Sequence, residues 1–136
     1  MKIDGACLCG HITYEAEIDP EKVLICHCTD CQTNSGTAYG VVAGVVENRF
    51  KLLSGELKTF EKTADSGARR ELAFCPECGT RIYAKPADEK SSFFGLRAGT
   101  ITQRGELKPK AQLWTRSALD WVTDLRGIPG IDKQRA

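Results

Sequence analysis

The sequence predicts a single, mainly antiparallel β domain with little helix, in which cysteine-containing turns are inserted at the ends of strands. Three observations lead to this fold class. Apolar residues recur mainly at every second position, which is the period of a strand with one buried face. Seven cysteines lie in three tight groups. The chain has 136 residues, of which 41% are hydrophobic, and this suits one domain with a buried core.

The first half of the chain contains the strongest strand patterns. Residues 12–18 alternate between apolar and polar side chains, as a half-buried strand does. Residues 38–46 are nearly all apolar and rich in β-branched residues, as in a central strand. Residues 50–53 and 57–60 are two shorter runs on either side of a Ser-Gly-Glu segment, and we expect them to pair as a hairpin.

The remaining elements follow in the second half. Four strands are expected at residues 70–74, 81–84, 92–96 and 111–114. Helix is scarce: one turn is predicted at residues 29–33, and apolar residues at spacing three predict a helix at residues 117–125. We expect one domain over residues 1–126 and a loosely attached tail over residues 127–136.

Composition and charge exclude several classes of function. Lysine and arginine total 19 and aspartate and glutamate total 18, so the net charge of +1 favours neither nucleic acid nor an anionic membrane as a partner. The longest apolar stretch, residues 39–46, falls far short of the roughly 20 residues that cross a membrane. The N-terminus lacks the apolar segment of an export signal. We therefore expect a reducing, cytoplasmic location, where thiols stay free or hold metal.

The segment from Cys75 to Gly79, Cys-Pro-Glu-Cys-Gly, is the sharpest motif of the chain. Proline sets one backbone angle of a tight turn, and the final glycine permits a positive φ, so backbone N–H groups can point at both sulfurs. A lone pair of cysteines at this spacing also occurs as a redox dithiol. Because other cysteines can complete a set of four, zinc is the favoured interpretation.

Cys7 and Cys9 supply the other half of a four-thiolate site. In an extended chain, residues two apart point to the same side, so both sulfurs can face one metal ion. Together with Cys75 and Cys78 they form a closed shell, which predicts a structural zinc that ties the N-terminal strand to the middle of the chain.

Cys26, Cys28 and Cys31 remain, and three thiolates leave one position of a tetrahedral zinc open. An open position is typical of a catalytic zinc. A histidine could close the shell instead, but His27 would point away from its neighbours in an extended segment, and His11 lies nearer the first site. We therefore expect two zinc ions, one in a closed four-cysteine site and one in an open three-cysteine site.

The charge of the open site indicates the chemistry that suits it. Three thiolates and one Zn²⁺ carry a net negative charge, so the metal is a poorer Lewis acid than zinc held by neutral histidines. Such soft zinc favours binding and deprotonating an incoming thiol. The resulting thiolate can attack a small electrophilic carbon, so the residues themselves indicate sulfur chemistry.

The motifs CxC, CxCxxC and CxxCG, in this order and at these separations, resemble the glutathione-dependent formaldehyde-activating enzyme family, whose domain also occurs in centromere protein V. The resemblance covers most of the chain. It includes the CLCGHITY segment near the start, CHCTDCQ followed by Ser35 and Gly36, FCPECGT, Lys108-Pro109, and LWTRS with Trp121 near the end.

The resemblance implies a β-tent fold with two zinc sites. It assigns the structural zinc to Cys7, Cys9, Cys75 and Cys78, and the active-site zinc to Cys26, Cys28 and Cys31. It implies a carbon–sulfur lyase that condenses formaldehyde, or another small aldehyde, with glutathione or a similar small-molecule thiol to an S-hydroxymethyl product, or catalyses the reverse.

Two positions depart from the family pattern. Gln112 stands where many relatives carry a histidine, and Asp120 stands where a proline before tryptophan is common. Neither is a predicted metal ligand, so both concern the substrate more than the fold. Glutathione has two carboxylates, and the sequence does not choose among the basic residues that could bind them: Arg49, Arg69, Arg70, Arg81, Arg97 and Arg116.

Two other functions are compatible with this scaffold. A zinc-stabilised binding module without chemistry is the main alternative, because the β-tent also occurs in chaperone-like partners of small GTPases. A reductase similar to methionine sulfoxide reductase B would need a free nucleophilic cysteine, whereas every cysteine here has a predicted metal role. The sequence leaves the exact substrate and the oligomeric state open.

Overall fold

A computed structural model describes residues 1–88 and 93–134. Eight strands in these residues form one sheet: β1 (Lys2–Ala6), β2 (Thr13–Cys26), β3 (Gly40–Ser54), β4 (Lys58–Thr63), β5 (Arg69–Phe74), β6 (Arg81–Pro86), β7 (Gly95–Arg97) and β8 (Ala111–Leu113). The strand order is β1-β2-β3-β7-β6-β5-β4, all antiparallel, and β8 pairs with β2 in parallel. One short helix, α1 (Thr29–Ser35), follows β2. The predicted mainly antiparallel β fold is confirmed.

The β2–β3 ladder is the longest pairing in the described sheet, and two of its three irregularities cancel. Between Ala16 and Ile18, the partner strand β3 has three extra residues. Between Asp19 and Val23, β2 itself has three extra residues. The original register is thereby restored, and the last residue of β2 lies opposite the first residue of β3.

Aromatic side chains form the centre of the core. Tyr14 is fully buried and stacks on Phe50 with ring centroids 5.1 Å apart, and its hydroxyl lies 2.7 Å from the Thr100 hydroxyl. Tyr83 and Phe94 complete the group, with centroids 4.8 Å apart. Burying a side chain of this size contributes about 1.5–3 kcal/mol to the free energy of folding, so this group anchors β2, β3 and β6 to one another.

The predicted hairpin between residues 50–53 and 57–60 is wrong. Residues 50–53 are the end of β3, which continues through Glu47 and Asn48 although both have left-handed backbone angles, φ 47° and 60°. Gly55 then turns the chain with φ 82°, and β4 pairs with β5 rather than with β3. The polar residues with left-handed angles interrupt the strand pattern, although the strand itself continues.

The predicted helix at residues 117–125 is also wrong. After a short 3-10 helix at Thr115–Ser117, the chain forms irregular turns. Leu119, Trp121 and Leu125 are 39%, 51% and 56% exposed. A short helix in water needs an apolar face packed against the protein, and the described residues offer these side chains no such surface.

The other predicted elements have counterparts in the structure. The strands expected at residues 12–18, 38–46, 70–74, 81–84 and 111–114 are confirmed as parts of β2, β3, β5, β6 and β8. The turn of helix expected at residues 29–33 belongs to α1, and the strand expected at residues 92–96 is represented by β7, although Ser92 lies outside the described residues. β1 was not predicted. The proposed domain limit at residue 126 stays a prediction. No helix in the described residues is both long and apolar enough to cross a membrane.

Replacing Gly5 by alanine should destabilise the fold. Gly5 lies opposite Tyr14 in the β1–β2 ladder, and a Cβ there would collide with the Tyr14 side chain and the Thr100 carbonyl oxygen. We expect Gly5→Ala to lower the free energy of unfolding by about 1–3 kcal/mol, the usual cost of overpacking. Urea unfolding in zinc-containing buffer measures this effect. Gly99→Ala is the control, because a Cβ at Gly99 meets no atom within 4 Å, and an equally small effect of both substitutions would contradict the packing argument.

Candidate metal centres

Four cysteine sulfurs from two distant parts of the chain meet in one group, the four-cysteine cluster. The Sγ atoms of Cys7, Cys9, Cys75 and Cys78 all lie within 4.8 Å of one another. The Cys7–Cys9 sulfur separation is 3.6 Å and the Cys9–Cys75 separation is 3.9 Å. Tetrahedral zinc with Zn–S bonds of about 2.3 Å requires sulfur–sulfur distances of about 3.8 Å, so a metal ion fits at the centre of this cluster.

Both turns that supply these cysteines have the same construction. The Gly10 N–H donates to the Cys7 carbonyl over 3.2 Å, and the Gly79 N–H donates to the Cys75 carbonyl over 2.9 Å. The two glycines have φ 81° and 78°, a left-handed conformation that glycine adopts without steric cost. The segment holding Cys7 and Cys9 is therefore a turn. The prediction that its sulfurs converge because the chain is extended is wrong, since they converge because the chain bends.

Hydrogen bonds to sulfur stabilise the thiolates and join the two turns. The Ile12 N–H donates to Cys7 Sγ over 3.2 Å. The Thr80 hydroxyl accepts the Leu8 N–H over 3.1 Å and lies 3.1 Å from Cys78 Sγ, to which it donates. This bond is the largest contribution that lowers the pKa of Cys78 to about 5. Thr80, which the sequence analysis did not single out, thus forms hydrogen bonds with both turns of the cluster.

The surroundings of the four-cysteine cluster suit a structural role. Cys7 and Cys75 are buried within the hydrophobic core, at 5% and 0% exposure, while Cys9 is exposed. Four thiolates complete a tetrahedral shell and leave no position for a substrate. This cluster can therefore hold the two turns together without taking part in chemistry.

Cys26, Cys28 and Cys31 form a second group, the three-cysteine cluster, whose Sγ atoms also lie within 4.8 Å of one another. Cys26 ends β2, Cys28 is the N-cap of α1, and Cys31 lies in the first turn of that helix. The Cys28 sulfur accepts the Cys31 N–H over 3.2 Å, and Gly36 ends the helix with φ 68°. The hydrogen bond between the Cys26 and Cys31 thiols lowers the pKa of Cys26 to about 5 and raises that of Cys31. The three sulfurs therefore lie close enough to bind one cation together.

Neither histidine belongs to a cysteine cluster. His27 is buried, and its Nε2 donates to the Gln112 side-chain oxygen over 2.7 Å. The His27 backbone N–H donates to the Leu113 carbonyl over 3.0 Å. His11 is exposed just before β2. Gln112 therefore orients the imidazole that lies between two cysteines in sequence, and its influence on the cluster is indirect.

The three-cysteine cluster forms part of the wall of a cavity of about 950 Å³, which we call the main cavity. Two other cavities, of about 460 and 400 Å³, have no cysteine among their described lining residues. The wall of the main cavity combines the three cysteines with basic and aromatic side chains, including Arg70, Arg81, Arg97, Phe60, Phe74 and Trp114. Of the two clusters, the one with an incomplete ligand shell is the one that faces this space.

Three of the six candidate arginines line the main cavity. Arg81 lies over the Phe74 ring, 4.6 Å from its centroid. Arg70 donates to two backbone carbonyls over 2.8 and 3.0 Å, and burial together with the neighbouring Arg97 lowers its pKa. The other three candidates are not among the described lining residues: Arg49, Arg69 and Arg116. Arg49 pairs with Glu17 on another part of the sheet, whereas Arg69 pairs with Glu61, which lines the main cavity.

A glycine allows Arg97 to lie next to the three-cysteine cluster. Gly40 opposes Cys26 in the β2–β3 ladder, and Val42 opposes Arg97 in the β3–β7 ladder. A Cβ at Gly40 would lie 2.6 Å from Arg97 Nη1 and 3.7 Å from the Cys31 Cβ. The absence of a side chain therefore leaves room for the guanidinium beside the cluster. No sequence motif marks Gly40, because its role depends on the alignment of three strands.

Comparison with known proteins supports the fold and the cysteine motifs. The family model described as "Glutathione-dependent formaldehyde-activating enzyme" matches residues 2–117. A crystal structure of a Rhodobacter sphaeroides protein is similar to this chain with a TM-score of 0.60 and 16% sequence identity, covering 80% of this chain and 98% of that chain. At this identity, the likeness supports the fold alone.

Removal of one cysteine from each cluster should affect stability differently. Cys78→Ser opens a cluster that joins Cys9 to Cys75 across 66 positions, whereas Cys28→Ser alters a cluster within one short segment. Cys28 and Cys78 are both partly buried, so the loss of packing is comparable. We expect Cys78→Ser to lower the melting temperature by roughly 10 °C or more, and Cys28→Ser by much less. Thermal melts with metal analysis test this, and equal large losses would show that both clusters are structural.

Proposed function

The chain belongs to the glutathione-dependent formaldehyde-activating enzyme family, and we propose on this premise that it is a carbon–sulfur lyase-type enzyme. It would add a thiol such as glutathione to formaldehyde or another small aldehyde, or catalyse the reverse. The observation that carries the proposal is the three-cysteine cluster in the wall of the main cavity. A donor set one ligand short of tetrahedral, facing a space that can admit a small molecule, is what thiol activation requires.

Zinc is the metal that we propose for both clusters. Cysteine thiolates are soft donors that suit zinc, and the sulfur separations in the four-cysteine cluster match its tetrahedral geometry. When bound to Cys26, Cys28 and Cys31, zinc would supply a soft centre that lowers the pKa of an incoming thiol. Because reduced thiols are needed to hold it, the reducing cytoplasm is the compartment that we propose.

The proposed reaction balances without a further reactant. The thiol loses its proton, and the sulfur forms a bond to the carbonyl carbon of the aldehyde. The π bond of the carbonyl breaks, and its oxygen takes up one proton to become the hydroxyl of the S-hydroxymethyl product. The reverse reaction breaks the same carbon–sulfur bond and returns the proton to sulfur.

Arg97 is the side chain that we propose to hold a carboxylate of the thiol. Its Nη2 donates to the Asn34 side chain over 3.2 Å, which fixes one edge of the guanidinium. Its Nε is buried and makes no hydrogen bond with the described residues. Arg81, stacked on Phe74, adds a second positive charge on the same cavity wall. A guanidinium binds a carboxylate through paired hydrogen bonds, so these arginines can orient an anionic thiol with its sulfur towards the cluster.

Glutathione should bind the metal of the three-cysteine cluster through its sulfur. Cobalt-substituted protein gives a direct readout, because sulfur-to-cobalt charge-transfer bands report the number of bound thiolates. Adding glutathione should strengthen these bands, whereas S-methylglutathione should not, since it has no ionisable thiol. A folded Cys28→Ala variant should lose the response. An unchanged spectrum at millimolar glutathione would favour a non-catalytic zinc-stabilised binding module instead.

Replacing Gly40 by alanine should weaken glutathione binding without removing metal. The added Cβ would displace Arg97 Nη1, which is the end of a flexible side chain, so the fold should tolerate the change. Loss of one charge-assisted hydrogen bond costs about 1.5–3 kcal/mol, which corresponds to about a tenfold to hundredfold rise in the dissociation constant. The control is Gly105→Ala, where a Cβ meets no atom within 4 Å. Titration of both cobalt-substituted variants measures the effect, and unchanged affinity in Gly40→Ala would exclude this role for Arg97.

A further inference from the structure

The main cavity is large, and apolar side chains form part of its wall. Its volume of about 950 Å³ is near the upper end of the range of about 300–1,000 Å³ for pockets that bind drug-sized ligands. Formaldehyde would fill a very small part of it, and glutathione is a polar peptide with several charges. Apolar surface in a binding pocket instead favours a ligand with an apolar part of its own.

Three exposed apolar side chains converge on this cavity. Phe60 is 61% exposed, Leu113 is 43% exposed and Trp114 is 52% exposed, and all three line the main cavity. They come from separate parts of the sheet, since Phe60 lies in the edge strand β4, Leu113 ends β8 and Trp114 directly follows it. A single exposed apolar residue needs no explanation, but a group around one concave site marks a surface that binds a partner molecule.

The backbone of Trp114 supports the same interpretation. It has φ 56° and ψ 40°, a left-handed conformation that is uncommon for a bulky residue. The Ser117 N–H donates to the Trp114 carbonyl over 3.0 Å, and the preceding Leu113 carbonyl accepts the His27 N–H over 3.0 Å, so the unusual conformation is held from both sides. Such strain is concentrated at functional sites. Here it accompanies an indole that lines the cavity of the three-cysteine cluster.

Beside other charged side chains, including Asp30 and Glu61, the wall of this cavity combines thiolates that can hold a metal, arginines that attract a carboxylate, and aromatic side chains that are open to solvent. Arg97 lies near the cluster, since a Cβ at Gly40 would be 2.6 Å from Arg97 Nη1 and 3.7 Å from the Cβ of Cys31. A carboxylate held by Arg97 is thus close to the metal position. An apolar group on the same ligand could then lie against Phe60 and Trp114.

We propose that the substrate of this site is a thiol that carries both a carboxylate and an apolar group of about the size of a phenyl ring. The proposal rests on the function proposed above and specifies its substrate class. The sulfur occupies the open position of the three-cysteine cluster, the carboxylate pairs with Arg97, and the apolar group contacts Phe60 and Trp114. The reaction itself is unchanged: the carbon–sulfur bond forms or breaks at the carbonyl carbon of the aldehyde.

The test compares four thiols in titrations of the cobalt-substituted protein. α-Mercapto-β-phenylpropionate has both a carboxylate and a phenyl ring, mercaptoacetate has only the carboxylate, and phenylethanethiol has only the ring. Glutathione is the fourth probe. We expect the compound with both groups to bind about tenfold tighter than any of the other three, because it alone adds burial of a phenyl ring to the carboxylate contact.

Matched variants assign the preference to residues. Phe60→Ala and Trp114→Ala should abolish most of the advantage of the phenyl ring and leave mercaptoacetate binding unchanged. Phe60 lies on an edge strand and is largely exposed, so its variant should fold even if that of Trp114 does not. Trp121→Ala is the control, since Trp121 is 51% exposed but does not line the cavity. Arg97→Gln should weaken the binding of α-mercapto-β-phenylpropionate and mercaptoacetate, which carry a carboxylate, and leave the binding of phenylethanethiol unchanged.

The outcomes separate this inference from the proposed function. Equal affinities for α-mercapto-β-phenylpropionate and mercaptoacetate would overturn the inference while the proposed thiol chemistry stands. Equal losses in Trp114→Ala and Trp121→Ala, with no loss in Phe60→Ala, would also overturn it. No spectral response to any of the four thiols would overturn both proposals. A phenyl preference that disappears in Phe60→Ala but persists in Trp121→Ala would support the inference.

Discussion

The pairing of β2 with β3 is the interaction on which both cysteine clusters depend. β2 begins just after the N-terminal turn of the four-cysteine cluster and ends at Cys26 in the three-cysteine cluster. Its ladder contains two shifts of three residues in opposite directions. An uncompensated odd shift would move every later side chain to the other face of the sheet. Because the shifts cancel, Gly40 opposes Cys26, and the space that Arg97 occupies beside the cluster exists.

The sequence predicts which sulfurs meet more successfully than it predicts how the chain brings them together. The cysteines fall into groups of two, three and two along the chain, and combining the two pairs into one closed site separates four from three. The extended geometry expected for Cys7 and Cys9 is replaced by a turn, because Gly10 adopts a left-handed conformation. The sequence pattern predicts two separate runs, at residues 38–46 and 50–53, whereas β3 continues through Glu47 and Asn48. These two polar residues have positive φ values, and hydrophobic periodicity does not indicate that a strand continues through such positions. The helix expected at residues 117–125 has the right spacing but no surface to pack against.

Residues that complete the candidate site escape sequence analysis because their roles depend on distant neighbours. In the sequence, Arg97 is one of six equivalent candidates. The strand alignment brings its guanidinium next to Gly40, which lies opposite Cys26. Thr80 looks like an ordinary residue after a turn, yet its hydroxyl bridges Cys78 to the backbone of Leu8. In both cases the informative quantity is a distance between segments far apart in sequence, and a single sequence contains no direct record of it.

Both clusters consist of cysteine sulfurs, and the residues around each cluster determine what it can bind. In the four-cysteine cluster, fixed donors such as the Ile12 N–H and the Thr80 hydroxyl offset the charge on sulfur, and the shell is complete. In the three-cysteine cluster, the shell lacks one ligand, and the nearby positive charge belongs to side chains in the wall of a cavity. A guanidinium that offsets the charge of a metal–thiolate centre can also pair with an anionic ligand. Arg97 would therefore draw a carboxylate towards the open position, so that the electrostatic balance of the site would depend on a bound anion as well as on its own residues.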